Sequence, residues 1–187
     1  SVSLCWLLWV ANCAINAPSL VVFPNQANSI RFVKKKWRPA VKNCKSLMEK
    51  LNSMAIDRES LELFTAPSTT IGFAHARSSS SIRMDSVSIA IADELSNWPR
   101  STGSPGSSNE GDPLEILKGR QNNYTRRKLY CVSTPATDCR ISQAYNETDK
   151  RKYNIPCPLN GCGEFQTLEW ANLKYNKDFS EIYMECT

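Results

Sequence analysis

Histidine is nearly absent: His75 is the only one in 187 residues. It has no evident partner in sequence, which argues against a histidine relay or ligand set and makes His75 a structural residue. No Gly-Lys pair occurs anywhere, so the chain carries no Gly-Lys-Ser/Thr loop of the kind that cradles phosphates with backbone N–H groups and a lysine. Long apolar runs are missing too. The opening Ser1–Ala11 is apolar but too short to span a bilayer, so no membrane association is expected. It also lacks an initiating Met and a leading basic residue, which counts against a secretory leader, despite the small residues at Ala14 and Ala17 and the sequons Asn123-Tyr-Thr125 and Asn146-Glu-Thr148. Secretion is the lesser alternative, and it predicts disulfides. The charge excess is small as well: 23 Lys and Arg against 18 Asp and Glu give +5, compatible with a polyanionic partner without being evidence for one.

What remains is the composition of an ordinary globular protein, 41% apolar and 22% charged, long enough for one sizeable core. Its most informative stretch is Val87-Ser-Ile-Ala-Ile-Ala-Asp93-Glu94. A near-continuous apolar run reads as a central parallel strand, and open α/β sheets bind ligands beyond the carboxyl ends of their strands. Two adjacent carboxylates at that edge suit nucleoside triphosphate hydrolysis, where the first helps to hold magnesium and the second polarises the attacking water. This is a Walker B reading; an ordinary strand followed by a polar turn fits the same residues.

Elsewhere the pattern predicts a helix over residues 1–15, a strand over Ser19–Phe23 and a helix over Gln26–Arg38. The last of these ends before Pro39 and carries Arg31, Lys34, Lys35, Lys36 and Arg38 on its polar faces. That basic face reads as solvated, with DNA contact as the alternative. A further helix runs to about Leu51, and strands over Leu61–Phe64 and Thr69–Gly72 join through Ala66-Pro67. The serine-rich segment 76–83 reads as a loop, as does Trp98–Gly111. A helix opens at Asp112-Pro113 and runs to about Gln121, Lys128–Val132 forms a strand tipped by Ser133 and Thr134, and a helix spans Ile141–Asn146. Helices alternating with strands imply a parallel sheet covered on both faces. Hydroxyls at Ser133 and Thr134 fit a γ-phosphate contact, or a turn in which they bond the local backbone.

Of the eight cysteines, Cys5, Cys13, Cys44, Cys131 and Cys139 lie in apolar or mixed stretches, where a free thiol acts as a small buried hydrophobe. Cys157, Cys162 and Cys186 crowd the C-terminal end, which favours a reduced protein with a metal knuckle over a disulfide scaffold. The Cys157–Cys162 spacing of four intervening residues lies within the range of structural zinc sites.

Read together, Asn109-Glu-Gly-Asp-Pro113, Arg126-Arg-Lys-Leu-Tyr-Cys-Val-Ser-Thr-Pro135, Ala144-Tyr145, Arg151-Lys-Tyr153, Pro156-Cys-Pro158, Cys162-Gly163 and Phe165-Gln-Thr-Leu-Glu-Trp170 resemble the large terminase subunit of tailed phages, lambda-like branch. The resemblance covers residues from about 86 to 175; Val21-Val-Phe-Pro24 and Arg31-Phe32 add a weaker match. It implies a P-loop NTPase (ASCE) α/β sheet flanked by helices and truncated at its N-terminus, followed by the start of a small zinc ribbon. The partial ATPase domain would occupy 1–150 and the zinc-ribbon-like segment 151–187. In this likeness Asp93 is the magnesium-side carboxylate, Glu94 the catalytic glutamate, Ser133 and Thr134 the nucleotide-sensing motif, and Ser1 the hydroxyl that ends the phosphate loop. Cys186 is the first member of a second cysteine pair whose partner falls past Thr187. The cofactors implied are ATP, Mg2+ and structural Zn2+. The partners implied are double-stranded DNA, the small terminase subunit, the portal protein and further copies of the chain, in the host cytoplasm. Other readings are a helicase-like or other P-loop ATPase and a non-catalytic zinc-binding module.

Overall fold

The computed structural model describes residues 2–14, 16–53, 60–102, 110–158 and 161–186. The chain divides into two compact units, residues 1–143 and 144–187. The first is a mixed α/β layer structure around a five-stranded sheet of order β2-β3-β1-β4-β5. Here β1 is Ser19–Phe23, β2 Leu63–Ala66, β3 Thr69–His75, β4 Ile89–Asp93 and β5 Lys128–Val132. Strands β1, β3, β4 and β5 run parallel, so their carboxyl ends share one edge of the sheet.

The exception is β2, which pairs antiparallel with β3 and corrects the expectation of a wholly parallel sheet. Pro67 and Ser68 join the two strands directly, and so short a connection permits only a hairpin. The turn therefore falls one residue later than Ala66-Pro67, and β3 continues through His75 rather than stopping at Gly72. Gly72 has its own reason: a Cβ there would stand 2.8 Å from Leu20 Cδ1 on the neighbouring strand.

Alternate strand residues face opposite sides. Val21, Phe23, Ile71, Phe73, Ile89 and Ile91 share one core with α1 (Val2–Cys13), α2 (Gln26–Phe32), α3 (Arg38–Asn43) and α4 (Lys45–Asn52). Leu20, Val22, Ala74, Ala90 and Ala92 are buried outside that core, on the side where α5 (Ser79–Arg83) packs on β3 and α6 (Pro113–Gly119) on β4. Burial on both faces is why β1 and β4 read as unbroken apolar runs. Buried Gln121 fixes the amino ends of β4 and β5, donating to the Ser88 carbonyl at 3.1 Å and the Lys128 carbonyl at 2.8 Å.

Pro39 does not end the second helix. The chain passes from α2 through a π turn, Val33–Trp37, straight into α3, and breaks only at Cys44, whose backbone is extended. A proline lacks the N–H for an i→i−4 bond, and its ring crowds the carbonyl four residues back. The wider i→i+5 turn just before it, closed by the Arg38 N–H on the Val33 carbonyl, accommodates both. The π turn is anchored from inside by Trp37, fully buried and edge-on to Phe64 with ring centroids 5.0 Å apart. Segment 76–83 is a second correction, since it contains the single-turn helix α5. Four consecutive serines are weak helix formers, yet Ser78 supplies the cap by accepting the Ser81 N–H at 3.2 Å.

Buried Arg140 opens α7 (Arg140–Asn146). Its guanidinium donates to the Pro99 carbonyl at 2.6 Å and to both Asp112 carboxylate oxygens at 2.5 and 2.7 Å. Asp112 also caps α6 by accepting the Leu114 N–H at 2.7 Å, and Glu110 accepts from Ser79 Oγ. The Glu-Gly-Asp-Pro stretch is thus a structural clamp tying the segment after β4 to α5, α6 and α7. Much of the predicted loop Trp98–Gly111, residues 103–109, lies outside the described residues.

The second unit holds two hairpins, β6 (Asn154–Pro156) with β7 (Phe165–Thr167) and β8 (Leu173–Tyr175) with β9 (Ile182–Met184). No helix among the described residues is long and apolar enough to cross a membrane.

Candidate functional site

Parallel pairing of β4 and β5 sets Asp93 opposite Val132, so Glu94 and Ser133, next along each strand, leave the same end of the sheet side by side. The Ser96 N–H donates to Ser133 Oγ at 3.1 Å, and Ser96 Oγ to the Thr134 carbonyl at 3.4 Å. Part of the hydroxyl tip is therefore already engaged by the turn after β4. The Trp98 indole N–H donates to the Asp93 carbonyl at 2.9 Å and closes that turn. Ser1, the remaining residue assigned to phosphate binding, lies outside the described residues.

Asp93 is half-buried and its carboxyl titrates above the ordinary range. Burial is the main cause, repulsion by Glu94 the second, and Lys36 partly opposes both. A carboxylate held this way is stabilised by a cation, which suits a metal ligand. Glu94 is exposed, with its backbone in the left-handed region at φ 50, ψ 46. A non-glycine residue is strained there, and such strain concentrates at functional turns. Its carboxylate meets only the Asn97 side-chain amide, at 3.4 Å, in the hydrogen bonds of the described residues.

Beside this acid pair opens a cleft of about 460 Å3 lined by Phe23, Asn28, Arg31, Phe32, Lys35, Lys36, Asp93 and Glu94. Reading the basic face of the second helix as solvent-facing missed this juxtaposition. Arg31 and Lys35 are four residues apart and so share a face, and the π turn widens the helix so that Lys36 joins them. Phe32, packed at 5.0 Å on Phe23 and 6.1 Å on Phe73, fixes the roll of α2. The recoverable signal was the Arg31/Lys35 spacing directly upstream of a proline. Lys34 and Arg38 do not line this cleft. In the second unit, Arg151 pairs with Asp149 at 2.5 Å and Lys152 with Glu169 at 2.9 Å.

In the second unit the sulfurs of Cys157, Cys162 and Cys186 all lie within 4.8 Å of one another, and Cys162 and Cys186 are 3.6 Å apart. Tetrahedral zinc with Zn–S near 2.3 Å sets its sulfurs about 3.8 Å apart, so the cluster fits three ligands of such an ion. Gly161 and Gly163 hold positive φ on either side of Cys162, and the Glu164 N–H aims at Cys162, lowering its pKa as the main cause. The neighbouring thiols Cys162 and Cys157 push Cys186 up to about 11.

All eight cysteines are free thiols. Cys5 and Cys13 are exposed and Cys44, Cys131 and Cys139 only partly covered, so these five are not the buried hydrophobes expected. Cys139 is distinct among them: hydrogen bonds with Ser142, Ser96 and the Ala136 N–H lower its pKa to about 6.

No curated protein matches the chain. The model of the phage terminase large subunit gpA ATPase domain matches residues 4–187, nearly the whole chain, which therefore belongs to this family of phage DNA-packaging ATPases.

Proposed function

We propose that the chain is part of the ATPase domain of a motor that couples ATP hydrolysis to translocation of double-stranded DNA into a procapsid. In this reading the sheet is of P-loop ASCE type, and Asp93, the Walker B aspartate, holds Mg2+. Glu94 polarises the attacking water, and Ser133 and Thr134 sense the nucleotide state. The observation that carries the reading is the shared carboxyl edge of β4 and β5, which puts the acid pair beside the hydroxyl pair. Ser1 serves as the last hydroxyl of the phosphate loop, and β5, beside the acid-tipped strand, is an outer strand of the sheet that is half-exposed over most of its length. The small terminase subunit, the portal protein and further copies of the chain are its partners in the host cytoplasm, and an endonuclease domain belongs to the parent protein. Lys34 on the basic helix is a candidate DNA contact, with Arg151 and Lys152 once released from their ion pairs. Cys157, Cys162 and Cys186 hold a structural zinc with a fourth donor.

The second reading, a zinc-binding module without catalysis, draws on that cysteine cluster alone. Hydrolysis assays separate the two. With a phosphate loop supplied ahead of Ser1, Glu94→Gln should keep nucleotide binding and lose turnover by about 10²- to 10⁴-fold, and Asp93→Asn should abolish magnesium dependence. The 187-residue chain alone should not hydrolyse ATP. Turnover by that chain, abolished by Glu94→Gln, would show that no added loop is needed, while an extended chain indifferent to both substitutions would remove the motor reading.

A further inference from the structure

The cleft beside the acid pair contains two opposite imbalances. Arg31, Lys35 and Lys36 line it on the α2 side, and none of these three residues takes part in any of the five ion pairs found among the described residues. Asp93 and Glu94 line the opposite side and likewise have no cation in contact. Lys36 offsets part of the Asp93 charge across the cleft, yet no ion pair at contact distance joins the two sets among the described residues. The cleft is within the range of small-molecule sites, and far smaller than a bound duplex would require. A ligand carrying both signs satisfies both walls: phosphate oxygens toward α2 and a divalent cation toward Asp93.

We propose that this cleft is a subsite for the terminal phosphates of the magnesium nucleotide, in which Arg31, Lys35 and Lys36 clamp phosphate oxygens across from the metal held by Asp93. The inference rests on the nucleotide role given to Asp93 and extends it to a helix outside the acid-tipped strand. The π turn is what makes it possible, because a regular helix would carry Lys36 round to a different face from Arg31. It also divides labour along one basic helix. Three cations serve the cleft, while Lys34, adjacent in sequence and equal in charge, faces elsewhere and remains for DNA.

Lys34 is the internal control. Magnesium tripolyphosphate, which has no base or sugar, is titrated into the 187-residue chain at low salt by calorimetry, with thermal midpoints checked for each variant. Arg31→Ala, Lys35→Ala and Lys36→Ala should each weaken binding by about five- to tenfold, charge-assisted contacts at a partly exposed site, whereas Lys34→Ala should stay within about twofold and Lys36→Arg should restore most of the affinity. Absence of binding to the native chain overturns the proposal, as does an equal loss in Lys34→Ala, or displacement of tripolyphosphate by duplex DNA with the same dependence on the three cations. If Asp93→Asn removes the magnesium requirement and the α2 variants change nothing, the clamp is wrong and the role of Asp93 stands. If the α2 variants weaken binding and Asp93→Asn leaves the magnesium requirement intact, the clamp stands and the metal role of Asp93 falls.

Discussion

Asp112→Ala should destabilise the first unit out of proportion to its position on a surface loop. Two costs add. The carboxylate caps α6 through the Leu114 N–H, and losing such a cap costs about 1 kcal/mol. The same carboxylate holds both oxygens on Arg140, whose side chain is 7% exposed against 32% for Asp112. Removing one member of a buried pair costs about 3–5 kcal/mol, and because water reaches Asp112 we take the lower end. The sum of about 4 kcal/mol is a large part of a typical stability and should lower the melting temperature by about 8–16 °C. Tryptophan fluorescence follows it well, since four of the five tryptophans, Trp6, Trp9, Trp37 and Trp98, lie in the first unit. Asp112→Ser keeps a capping oxygen, and combined with Arg140→Met it removes both charges at once. That pair should recover more than half of the loss, because an apolar replacement of a whole buried ion pair is often nearly neutral. A melting shift below about 3 °C for Asp112→Ala, or a double variant no better than the single one, would refute the argument that a stranded guanidinium is the dominant cost.

Glu94→Gly should raise stability slightly, by about 0.5 kcal/mol, because relief of the left-handed backbone outweighs the added chain entropy; a lower melting temperature would mean that the turn is not strained. His75 is held below the ordinary value of 6.5 chiefly by burial, with Glu62 opposing and Arg77 assisting, so the unfolded chain takes the proton more readily. Stability is then full above pH 6.5 and lost as pH falls through that value toward the lower folded one. His75→Gln should flatten denaturant midpoints measured between neutral pH and pH 5, and an unchanged slope would exclude this histidine. Cys139, with a pKa of about 6 against an ordinary 9.0, is about nine-tenths thiolate at pH 7, and after allowing for its lower intrinsic nucleophilicity it should alkylate about fourfold faster than an unperturbed exposed thiol. Iodoacetamide labelling read by peptide mass would show otherwise if Cys5 reacted as fast at that pH.

The strands were legible because burial on two faces leaves a signature that needs no partner to be seen: Leu20-Val-Val-Phe23 and Ile89-Ala-Ile-Ala92 have no alternation to misread. Helix limits were less legible where a local rule met a tertiary demand. Pro39 should stop a helix and does not, because the π turn absorbs it, and Ser79–Ser81 should not form one and do, because a serine cap and Glu110 hold them. The site follows the same division. Asp93, Glu94 and Ser133 could be placed from sequence, since a strand tip fixes where its next residue must go once neighbouring strands run parallel. Arg31, Lys35 and Lys36 could not, because a charged helix face carries no mark of what stands opposite it. The apolar side, with Phe32 seated on Phe23 and Phe73 beside buried Val33 and Trp37, turns that face toward the acids. It follows that the orientation of the basic helix is set by its apolar side, so Phe32→Ala should weaken magnesium tripolyphosphate binding although Phe32 bears no charge. Lys34→Ala, which alters charge but not the seat, should leave that binding almost unchanged.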